Sequence, residues 1–60
     1  MTHSIELARI ESAIENGDED ELRWAMNYCK MRLSVATLPE EVQFWKRTEK
    51  EVVKRLNRSN

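Results

Sequence analysis

The chain has 60 residues, 40% hydrophobic and 35% charged, with a formal net charge of −1. That length excludes a second domain, so residues 1–60 are read as one domain that buries only about 60% of its unfolded surface. Cys29 is the single cysteine and His3 the single histidine, which excludes an internal disulfide and leaves too few ligands for a structural zinc.

The first predicted helix spans about residues 5–15, with Leu7, Ile10 and Ile14 on one stripe at 100° per residue. Thr2 or Ser4 is the expected N-cap. Asn16-Gly17 ends the helix, because glycine takes the left-handed cap conformation without steric cost. Asp18 then opens a second helix over about 19–34, with Glu21 three residues on as a capping-box partner. The acids from Asp18 to Glu21 also complement the positive end of the helix dipole.

This second helix is apolar on two sides. Leu22, Ala25, Met26, Cys29, Leu33 and Ala36 form one stripe; Trp24, Tyr28, Met31 and Val35 form another about 150° round. Two opposed apolar faces imply burial on both. Either the helix lies between its two neighbours, or one face packs inside the chain and the other against a second copy. The Trp24, Tyr28, Met31 and Val35 stripe is the expected protein interface, since aromatics and methionine are enriched in interface cores.

Val35 to Leu38 make the next turn. Thr37 as cap, Pro39 in the first turn and Glu40 as box partner open a third helix over about 38–57. Val42, Trp45, Val52, Val53 and Leu56 form its apolar stripe, with Leu38 as an entry staple. Phe44 lies about 120° from that stripe and is added to the interface set. Glu49 falls inside the stripe and needs solvent or a cation, with Lys30 and Arg32 as candidates. Both connections are short, so the fold class is all-α: a three-helix antiparallel bundle. In so short a chain burial and ordering entropy nearly cancel, and a homodimer is the expected supplement.

Charge is unevenly placed. Residues 1–21 hold seven acids against Arg9 alone, whereas residues 22–39 hold three bases and no acid. On the third helix Arg47, Lys50, Lys54 and Arg58 recur at helical spacing, opposite the apolar stripe. The row is about 16 Å long at 1.5 Å per residue, and it fits phosphates or an acidic protein as well as plain solvation. A DNA-reading helix-turn-helix fits poorly, because the helix would present Pro39-Glu40-Glu41 to the bases.

No catalytic constellation is legible, so no enzyme, cofactor or metal is expected. Cys29 reads as a small buried hydrophobe and His3 as a solvated residue. The acids around Asp18 lack the alternation of a calcium loop. Met1 is followed by polar residues rather than a basic start and an apolar stretch, so no secretory leader is expected. No run is long enough for a membrane span, and a lone cysteine suits a reducing, cytoplasmic setting. The expected function is that of a small intracellular adaptor, inhibitor or regulator acting through protein contacts. The alternative is a nucleic-acid-binding regulator that uses the basic row.

Overall fold

The computed structural model describes residues 4–59, which form three helices in the expected antiparallel order: α1 (Ser4–Asn16), α2 (Glu19–Val35) and α3 (Pro39–Ser59). The cap expected at Thr2 and the placement of His3 lie outside the described residues, as does the side chain of Ser4, the first residue of α1. The all-α three-helix bundle follows the sequence to within a residue or two at each boundary.

Local chemistry sets those boundaries. Gly17 has φ +72°, and its N–H donates to the Ala13 carbonyl at 2.8 Å, which closes α1. Asp18 sits in extended backbone and caps α2: its Oδ1 accepts from the Asp20 and Glu21 amides at 3.0 and 3.3 Å. The return half of the capping box does not form among the described residues, because the Glu21 carboxylate is bound to Arg9 instead. α2 ends at Val35 and is capped by Ala36, whose N–H reaches back to the Leu33 carbonyl, and extended backbone leads into Leu38-Pro39.

At α3 the cap differs from expectation. Pro39 is the first helical residue, and the Leu38 carbonyl accepts from Val42 at 3.0 Å. Thr37 lies one position too early and makes no capping bond among the described residues. Proline fixes the start, because its φ is already helical and it has no N–H to satisfy.

The core consists of Ile10 and Ala13 from α1, Leu22, Ala25 and Cys29 from α2, and Trp45 and Val52 from α3. Ile10, Leu22, Cys29 and Val52 are fully enclosed. Ala13 was not on the predicted stripe, yet it is buried in the core from the last turn of α1. α2 packs most extensively against α3, α1 lies against α2, and α1 and α3 meet least. The bundle measures 33 × 22 × 14 Å, flattened in the way two opposed apolar faces on α2 require. No helix among the described residues is long and apolar enough to cross a membrane.

Candidate interaction surfaces

The predicted interface stripe of α2 divides into two halves. In the first half, Trp24 and Tyr28 stack on each other, with ring centroids 5.3 Å apart and planes at 18°. Both pack against the core from its edge. Arg9 of α1 covers the Trp24 ring, its guanidinium carbon 3.9 Å from the centroid, and also forks onto Glu21 at 2.7 and 2.9 Å. Tyr28 meets Trp45 of α3 edge to face at 5.7 Å. The chain's own helices therefore cover much of Trp24 and Tyr28.

In the second half the face is open. Met31 is 49% exposed, Val35 63% and the adjoining Leu38 54%. Leu38 therefore does not staple the entry of α3. Ser34 beside them turns its hydroxyl inward onto the Met31 carbonyl at 2.7 Å, so it offers little polar cover. These three large apolar side chains follow one another around the α2–α3 turn.

Phe44 is 43% exposed but is directed elsewhere. It packs edge to face on Trp45 at 4.9 Å and lines a shallow groove of about 170 Å³ between α3 and α1, opposite Leu7, Ile10 and Ile14. The hairpin brings Phe44 to the same end of the bundle as Met31 and Val35, on the side that faces α1. Thr48 next to it satisfies its own hydroxyl on the Phe44 carbonyl at 2.8 Å.

The predicted basic row is present on α3. Arg47, Lys50, Lys54 and Arg58 are all exposed, as is Lys46. None of these five makes an ion pair among the described residues, whereas Arg9 and Arg23 are both engaged, with Glu21 and Glu19.

Three further features complete the electrostatics. The Cys29 thiol is enclosed, and burial, then the nearby Glu49 carboxylate, push its pKa up to about 11. At neutral pH it is a protonated, inert hydrophobe. Arg32, one of the cations expected to answer Glu49, lies over the Trp45 ring at 5.4 Å instead. Arg55 was not anticipated at all. Its Nε donates to the Ile14 carbonyl at 2.9 Å, and the guanidinium covers Gly17 so closely that an added Cβ would meet Nη2 at 2.5 Å.

No family model, no curated protein and no solved structure matches the sequence.

Proposed function

We propose that the protein is a small, non-enzymatic binding module that acts inside the cell through protein contacts, and that it self-associates as a homodimer through the open end of α2. The observation that carries this reading is the run Met31, Val35 and Leu38, each about half exposed or more. Soluble monomers seldom leave large apolar side chains clustered in water. A 60-residue core is also short of burial, and a second copy supplies it. A single enclosed cysteine suits a reducing compartment.

The surface proposed is narrower than the whole α2 stripe. Trp24 and Tyr28 belong to the intrachain packing and form the rim at most; Met31, Val35 and Leu38 form the centre, with Phe44 at the α1 side. Sedimentation equilibrium is the test. The wild type should associate at micromolar concentration, and Met31→Ser with Val35→Ser should return it to the single-chain mass of 7.2 kDa with its helical content intact. A wild type that sediments as a single chain throughout would remove the homodimer.

A further inference from the structure

We infer that the outer face of α3 is a docking site for the phosphate backbone of double-stranded DNA. At 100° per residue, Lys46, Asn57, Lys50, Gln43, Lys54, Arg47 and Arg58 fall within an arc of about 120°, and all seven are exposed. Five are cations and two are amides. From Gln43 to Arg58 the arc holds no carboxylate; Glu40 marks its N-terminal limit and Glu51 its edge toward α1. Every charge on the arc is thus of one sign in a protein whose net charge is −1.

The composition also selects the partner. Protein interfaces have an apolar core and are depleted in lysine, and this face has three lysines and no apolar residue. Interfaces with DNA are polar and strongly positive. Binding of single strands relies on aromatic platforms for the bases. Here every aromatic ring is turned away: Trp45 is buried, Trp24 and Tyr28 pack against the core, and Phe44 lines the α1 groove. That leaves a duplex held by its backbone, without base stacking.

Helix geometry favours the B form. A helix with its side chains is about 10–12 Å across, and the major groove of B-DNA is about 12 Å wide. Lys46 and Lys50 lie toward one flank of the arc and Arg47 and Arg58 toward the other, so the two flanks face phosphates of opposite strands. The major groove of an A-form RNA duplex is too narrow and deep for this. From Arg47 to Arg58 the row runs about 16 Å, the axial length of about five phosphates on one strand.

The experiment is anisotropy of a labelled DNA duplex of about 20 base pairs and arbitrary sequence, titrated with the intact protein across a salt series. The four flanking cations, Lys46, Lys50, Arg47 and Arg58, neutralise four phosphates and give a slope of log K against log salt of about −3.6. Arg47→Gln with Lys50→Gln should reduce that slope by about two. It should also weaken binding roughly 60-fold at 0.1 M salt, about eightfold for each phosphate no longer neutralised. Lys30→Gln, an exposed cation on α2, should leave binding unchanged, and circular dichroism of each variant confirms the fold. No binding at low salt would overturn the inference. So would equal or tighter binding to the single strand, to an A-form RNA duplex or to polyglutamate, or an equal weakening in Lys30→Gln.

Discussion

Gly17 closes α1 at φ +72°, its N–H donated to the Ala13 carbonyl. Its left-handed backbone was legible, because Asn-Gly after an apolar stripe marks a helix end. The Arg55 guanidinium that covers it was not: the two lie far apart in sequence, and Arg55 reads as one more base on a basic helix. The same guanidinium binds the Ile14 carbonyl, one of the α1 carbonyls left without a helical partner. Gly17→Ala should therefore lower stability twice over, by about 1–2 kcal/mol for the left-handed backbone and by about a further 1 kcal/mol for displacing that hydrogen bond. Urea denaturation of Gly17→Ala, Arg55→Ala and the double variant checks this. The double variant should lose less than the sum of the singles, because the clash disappears with the guanidinium.

Cys29 makes a second residue-scale case. With the folded thiol at about 11 and the ordinary value at 9.0, the unfolded chain loses the proton first as pH rises. Stability should thus be level with respect to this group below pH 9 and fall between about pH 9 and 11. At pH 7.5 a thiol reagent should label the native protein only as fast as it opens. Rapid stoichiometric labelling would contradict the enclosure described. Trp45 is the hub of the aromatic set, in contact with Tyr28, Phe44 and Arg32. At 7% exposure, Trp45→Ala should cost about 3–5 kcal/mol, enough to leave a chain this small largely unfolded by circular dichroism.

At the scale of elements, α1 is held to α2 by a surface bond as well as by core packing. Arg9 lies over Trp24 while its fork holds Glu21. The bond lowers the Glu21 pKa from its ordinary 4.5 and raises that of Arg9. A carboxyl depressed in the folded state stabilises fully above its unfolded value, and that contribution is lost as pH falls through the folded value. The affected window lies below about pH 4.5, and because both groups are exposed the effect is modest and weakens with salt. Glu21→Gln should flatten the acid limb of the stability profile in low salt; an unchanged limb would mean the pair contributes nothing. Trp24→Ala should lower the melting temperature equally at all protein concentrations, since its partners are intrachain. A shift confined to concentrated solutions would return Trp24 to the subunit interface.

At the scale of the whole molecule, the bundle has unlike ends. Met31, Val35 and Leu38 lie exposed where α2 turns into α3, with Phe44 directed toward α1, whereas the acids of the α2 cap and the Arg55 clasp lie at the other end. If the apolar end is covered by a second copy, the melting temperature rises with protein concentration, because association stabilises by mass action. Met31→Ser with Val35→Ser should remove that dependence while changing dilute stability little, since both side chains are already exposed. Scanning calorimetry over a hundredfold concentration range measures this directly.

Local chemistry alone set the number of helices, their limits to within a residue or two, the left-handed glycine, the Asp18 cap and the outward basic row. All of these depend on residues a few positions apart, so periodicity and capping suffice to read them. How the second apolar face of α2 is shared out came instead from tertiary packing. Trp24 and Tyr28 are covered by Arg9 and Trp45, which come from other helices, and Met31 and Val35 are not. The same packing turned Phe44 toward α1 and sent Glu21 to Arg9 rather than back to its own cap. Those outcomes depend on which helix lies over which face, and a projection of one helix carries no information about the rotation of its neighbours.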